Sequence, residues 1–240
     1  VILGEYQLVL SLIDTLVVLT VPGLDTVVSR AVSRGYEQSA LAALKYKFIF
    51  GFLGSLVFIA LAIYQYLFHS SIYLTLSLLA VAAFFPVHTL VNTINAYYYA
   101  KKNFSLPQFY FILTRFLVVF GLVAAIIFSN NILVIMVVYL GINALAAFLF
   151  WQRFSSTETL SGGSDPNLLG DGFKFTLARF IPELLNNVDM LAITHFLGLE
   201  ALAIYVIAAK IPHAIKGFLK SIATTVFFPK FVFLNKENFI

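Results

Sequence analysis

Apolar runs of membrane length recur along the whole chain, separated by short polar stretches. Seven can be marked: about Tyr6–Val28, Lys47–Phe68, Ser71–Tyr99, Leu106–Phe128, Asn131–Trp151, Gly172–Leu197 and Ala201–Phe228. Long unbroken apolar runs, in place of ten-residue alternating segments, argue for helices and against a β-barrel. The pattern therefore predicts an all-α integral membrane protein with about seven transmembrane helices. Pro22-Gly23 interrupts the first run, a kink that neighbouring helices can repair in a membrane. One stretch, Ser155 to Asp171 (SSTETLSGGSDPNLLGD), is rich in Gly, Ser, Asp and Pro and is expected to be a flexible cytoplasmic linker between two bundles. It divides the chain into 1–154, 155–171 and 172–240.

Polar residues inside these runs are the candidate chemistry, because ionisable groups at membrane depth are costly and face a protein interior or a wet cavity. The sixth run holds Arg179, Glu183 and Asp189, and the seventh holds Lys210, His213 and Lys216. With Arg179 at zero on a helical wheel, Glu183 falls at about +40°, Asn186 at about −20°, Thr194 at about +60° and Asp189 at about −80°. On one continuous helix these make a single polar face, within which Arg179 and Glu183 are spaced to neutralise each other. In the first run Gln7, Ser11, Asp25 and Ser29 fall on the side of Asp14. In the third, His88, Asn92, Asn95 and Tyr99 share one face. The fourth carries Arg115, with Gln108 beside it, too deep to reach the headgroups by snorkelling. The second and fifth runs read as structural; in the fifth only Tyr139 and Asn143 are polar, and no role is assigned to them.

Composition sharpens this reading. The chain is 61% hydrophobic and 11% charged, far from the soluble globular range. The net charge of +4 is not a nucleic-acid signature, because the basic residues alternate with the runs. Arg30, Arg34, Lys45 and Lys47 lie in one connection, Lys101 and Lys102 in another, and Arg153 and Lys174 around a third. The alternate connections hold no Lys or Arg. By the positive-inside rule residue 1 is expected outside and residue 240 in the cytoplasm. With no cysteine and four scattered His residues, neither a metal site nor a cofactor is expected.

An internal repeat is visible. Leu3-Gly4-Glu5-Tyr6 opens the first run and Leu202-Ala203-Ile204-Tyr205 opens the seventh from the same side. If Gly172–Leu197 begins a second half, its counterpart precedes residue 1, and the chain is expected to be a fragment. LGEY before a helix ending in Pro-Gly-Leu and Ser-Arg, and Asn-Asn-Val-Asp closing in Phe-Leu-Gly before LAIY and Ala-Lys, resemble the bacterial polysaccharide flippases. These are the O-antigen and exopolysaccharide transporters of the superfamily that also holds the lipid II flippase and the multidrug and toxic-compound extrusion exporters.

The resemblance implies most of an N-terminal six-helix lobe in 1–154 and the first two helices of a C-terminal lobe in 172–240. It implies a cargo of undecaprenyl-pyrophosphate-linked oligosaccharide, flipped from the cytoplasmic to the outer leaflet of the bacterial inner membrane by alternating access. The polysaccharide polymerase and glycosyltransferases are implied partners, besides the lipid bilayer. Arg115, Arg179, Lys210 and Lys216 are the cations available for the diphosphate. Asp14, Asp25, Glu183 and Asp189 are either structural counter-ions or carriers of a coupling ion. His88, Asn92, Asn95 and Asn186 are candidates for sugar hydroxyls. The main alternative is a drug or cation antiporter of the same superfamily, whose pocket should be acidic and aromatic. A seven-helix receptor or retinal protein is disfavoured because Ser71–Tyr99 contains no carboxylate, and no catalytic arrangement appears at usable spacing for an enzyme.

Overall fold

The computed structural model describes residues 2–222 apart from 70, 130 and 186; at 69, 183, 213, 216 and 220–222 only the backbone is described. Every regular element among the described residues is a helix, with no strand: α1 (Ile2–Leu16), a 3-10 turn (Val17–Thr20), α2 (Gly23–Ser33), α3 (Ser39–His69), α4 (Ile72–His88), α5 (Leu90–Ala100), α6 (Ser105–Phe128), α7 (Ile132–Thr157), α8 (Leu168–Leu185) and α9 (Val188–Ile222). Among the described residues six stretches are long and apolar enough to cross a membrane: Ile2–Thr20, Ser39–Phe68, Ile72–Ala100, Ser105–Phe128, Ile132–Thr157 and Val188–Leu219. The chain is a multi-pass membrane protein. Its lipid-facing surface is plainest on α6, where Phe116, Phe120 and Ile127 are exposed.

The sixth run departs from expectation. Helix α8 stops at Leu185, and a turn follows in which the Asn187 N–H bonds to the Leu184 carbonyl at 3.2 Å. The chain breaks again at Gly198, where one helical arm ends and another begins; Asp189 of the first arm meets Tyr205 of the second, so the two arms fold back on each other. Gly198 has φ 86° and ψ 177°, a conformation essentially open to glycine alone. The single polar face drawn from Arg179 through Asp189 to Thr194 is therefore split between two helices.

The first run breaks where Pro22 predicts. A residue before proline is pushed out of the helical region, and Val21 adopts φ 55°, ψ 62°. The freed Gly23 N–H donates to the Thr176 hydroxyl of α8 at 2.9 Å. Across this break Asp25 and Ser29 no longer share a face with Asp14. Helices α2 and α8 cross at backbone distance here, since a methyl on Gly23 would lie 2.3 Å from the Gly172 carbonyl oxygen. A second crossing joins α1 to α9, where a methyl on Gly4 would lie 2.0 Å from the Leu199 carbonyl oxygen.

The third run is repaired from α3. Pro86 cannot donate to the Ala82 carbonyl, and the Ser55 hydroxyl takes its place at 2.7 Å. Ser55 can reach because Gly51 brings the backbones together; a methyl there would lie 2.6 Å from Pro86 Cα.

Two hydrophobic cores result. One holds Val9, Ile13, Phe58, Leu78, Phe85 and Met136; the other holds Leu24, Val28, Ala43, Tyr97, Phe150 and Phe154. The helices pass through a polar layer between them.

The connection from α7 to α8 is docked and does not hang free. Glu37 N–H bonds to the Ser161 carbonyl at 3.3 Å, Ser161 N–H to the Glu37 carboxylate at 3.0 Å, and Asp165 N–H to the Ser39 hydroxyl at 2.9 Å. Glu37 also pairs with the Lys101 ammonium. The basic residues are not all in connections: α3 begins at Ser39, so Lys45 and Lys47 lie within the helix.

Two outcomes are expected. Gly51→Ile should lower stability by about 1–3 kcal/mol through overpacking against Pro86, whereas Gly141→Ala, where nothing lies within 4 Å of the added methyl, should not destabilise; thermal unfolding in detergent compares them. Lys101 first, and the Ser161 N–H second, hold the Glu37 carboxyl below its ordinary value of 4.5. The stabilisation is therefore complete above 4.5 and lost as pH falls through the lower folded value. Hydrogen exchange at the Ser161 amide should accelerate in that acid window beyond the intrinsic trend, and Glu37→Gln should remove the effect.

Candidate functional site

A cavity of about 310 Å3 opens in the polar layer, lined by groups from α1, α4, α5, α6 and α7. Its polar lining is Asp14, His88, Asn92, Asn95, Tyr110, Thr114, Arg115, Tyr139 and Asn143. Arg115 stands ten residues into α6, about 15 Å from its Ser105 end and close to mid-helix. Its guanidinium lies 5.1 Å from the Phe111 ring centroid, a cation–π contact that holds the charge over an apolar wall. Asp14 and Arg115 are both near enough for their charges to act on Tyr139, whose ring packs edge-on to Tyr6 at 6.2 Å.

Local sequence explains the positions. His88 closes α4 directly before the Thr89 break, and Asn92 and Asn95 follow in the first turns of α5. The i, i+4 spacing of Tyr139 and Asn143 puts both on one face of α7, and the Asn143 amide donates back to the Tyr139 carbonyl at 2.7 Å. The Asn95 side-chain oxygen is buried without a hydrogen-bond partner in the protein, an acceptor that a ligand hydroxyl would complete. Asp14, Asn92 and Arg115 are exposed at the opening, so the cavity is an open cleft.

Beside it lies a second polar cluster. Lys47, fully buried, donates to both Asp25 carboxylate oxygens at 2.8 Å and to the Thr89 carbonyl at 3.4 Å; the Thr93 hydroxyl donates to Asp25 at 2.6 Å. Three helices, α2, α3 and α5, thus meet on one ion pair at the level of the α4/α5 break. Asp25 is ion-paired with Lys47. The charge of Arg179 also reaches Lys47 from α8.

The predicted residues are thus only partly gathered. Arg115, Asp14, His88, Asn92 and Asn95 line one cavity. Arg179 and Lys210 are exposed on α8 and α9 and do not line it. Asp189 accepts the Tyr205 hydroxyl within α9. Asn186 and the side chains of Glu183 and Lys216 lie outside the described residues. Sequence reasoning missed Lys47, assigned to a connection because it sits at the edge of an apolar run, and it left Tyr139 and Asn143 without a role. Their signal was available: they are the polar positions of an otherwise apolar helix, four apart.

Losing one partner of a buried ion pair strands the other. Lys47→Met should therefore destabilise by about 3–5 kcal/mol, and adding Asp25→Leu should recover much of the loss. Denaturant unfolding of the two variants measures the coupling.

The sequence model of a family described as polysaccharide biosynthesis protein matches residues 3–234. No curated protein and no solved structure matches the chain.

Proposed function

Because the chain belongs to the polysaccharide biosynthesis protein family, we propose that it carries a lipid-linked oligosaccharide across the bacterial cytoplasmic membrane, from the cytoplasmic to the outer leaflet. The observation that carries this reading is Arg115 at mid-depth, ringed by amides and hydroxyls, in a cleft between two apolar cores. A pyrophosphate-linked sugar cannot enter hydrocarbon without such a route. The guanidinium presents a fork of donors to the diphosphate. Asn92, Asn95, Asn143 and His88 offer donors and acceptors to sugar hydroxyls, with Tyr110 and Tyr139 as flat apolar walls. Asp14 balances Arg115 in the empty cleft and is the group positioned to take up a coupling ion once phosphate neutralises the arginine. Asp25 is paired with buried Lys47, which makes it the less available of the two carboxylates for that role.

A cleft of about 310 Å3 accepts the diphosphate and its nearest sugar, not a whole oligosaccharide. Longer cargo requires the helix pairs α1–α2 and α8–α9 to part, after which Arg179 and Lys210 extend the cationic path. The basic ends of α2, α3, α5 and α7 are placed in the cytoplasm by the positive-inside rule. Polymerase and glycosyltransferases are the enzymes that would consume and supply such a cargo; the chain itself transports and does not catalyse.

One feature favours the antiporter reading, an exposed Asp14 among aromatic walls. Binding separates the two. Undecaprenyl pyrophosphate in detergent should bind the purified chain, and Arg115→Ala should weaken it about 10- to 100-fold, as expected for loss of a charge-assisted pair. Arg115→Lys should lose less. Equal affinity in all three proteins, together with binding of an organic cation dye that Asp14→Asn abolishes, would favour the antiporter.

A further inference from the structure

A second cavity, of about 420 Å3, opens between α3 and α7 on the lipid-facing side of the bundle, away from Arg115. Helix α5 packs against both and, through Leu90, floors the gap. Its walls are apolar, with Leu44 and Phe48 from α3 and Phe148 from α7, and Lys45 is the one charged group in its lining. Toward the basic end of the bundle it continues, past Leu41 and Trp151, into a cleft of about 330 Å3 that includes Gln38, Ser155 and Glu158. Polarity is thus graded along one line.

From Gln38 to Phe48 the line covers ten residues of rise, about 15 Å, which is the depth of one leaflet of a hydrocarbon core. An amphiphile lying head-outward in a single leaflet has this shape and this gradient. The charges narrow the choice. One cation and one anion sit at the polar end, with Glu158 farther out than Lys45. The Tyr97 hydroxyl donates to Glu158 Oε2 at 2.9 Å and so orients the carboxylate.

We propose that this groove is a binding site for one phospholipid with a phosphoethanolamine head: an acyl chain along Phe48 and Phe148, the phosphate on Lys45, and the primary ammonium on Glu158. An anionic head would bring uncompensated negative charge to Glu158, and a prenyl pyrophosphate would bring more. A choline head has the right charge but no N–H to donate, so it forgoes the charge-assisted hydrogen bond. The proposal is independent of what the central cleft carries.

Trp151 is the single tryptophan of the chain and forms the rim between the two cavities, so its fluorescence reads occupancy directly. The full chain is placed in phosphatidylcholine vesicles containing increasing fractions of lipids with brominated acyl chains and ethanolamine, choline or glycerol heads. Brominated phosphatidylethanolamine should quench Trp151 at a two- to fivefold lower mole fraction than the choline lipid, roughly the strength of one exposed ion pair. Glu158→Gln, which still accepts from Tyr97, should erase that preference, and Glu158→Asp should keep part of it. If Glu158→Gln folds poorly, Lys45→Gln tests the groove instead: it should raise the mole fraction at which both zwitterionic lipids quench, because both carry the phosphate, and unchanged quenching would overturn the proposal. Equal quenching by ethanolamine and choline lipids, strongest quenching by the glycerol lipid, or a preference unchanged in Glu158→Gln would each overturn the proposal.

Discussion

A polar group at mid-depth in a membrane has no water to fall back on, and the architecture follows from meeting that demand. Each break in a helix frees backbone groups that must find partners in neighbouring elements. Thr176 takes the Gly23 N–H, Ser55 supplies the Ala82 carbonyl, and Lys47 reaches the Thr89 carbonyl while neutralising Asp25. These bonds cross between helices far apart in sequence. They tie the bundle together at the depth where hydrophobic packing is interrupted.

The interruption is what makes room for a cleft. Above and below, two apolar cores close around Phe85 and Met136 on one side and around Tyr97 and Phe154 on the other. Within the layer, Asp14 and Arg115 turn toward the opening, and Lys47 and Asp25 turn into the interior. The inner pair is satisfied by protein alone, whereas the outer groups have surface left for a ligand. The buried pair and the cleft-lining charges thus face different surroundings.

Much of this was legible in the sequence because isolated polar residues in apolar helices are hard to explain otherwise. Arg115, His88, Asn92 and Asn95 declared themselves by depth and by sharing a face, and Pro22 announced its own kink. What failed were inferences that carried one helical phase across a break. Asp14 and Asp25 look aligned on a continuous wheel, and Arg179 and Asp189 fall on one broad polar face, yet each pair is separated by a break whose geometry depends on tertiary partners. Lys47 was misread for another reason. A charge at the end of an apolar run looks like an interfacial anchor, and only the helical extension back to Ser39, held by the Ser39 and Glu37 contacts with the α7–α8 connection, buries it.

The two glycine crossings carry a mechanical consequence. Gly4 rests on the Leu199 backbone and Gly23 on that of Gly172, so α1–α2 is shut against α8–α9 near both ends at once. Beside the crossings the same helix pairs also touch through side chains: Gln7 donates to the Met190 sulfur, Arg30 lies over the Phe175 ring, and Leu24 packs on Gly172. Neither crossing leaves room for a side chain, so any residue larger than glycine at position 4 or 23 would force the helices apart.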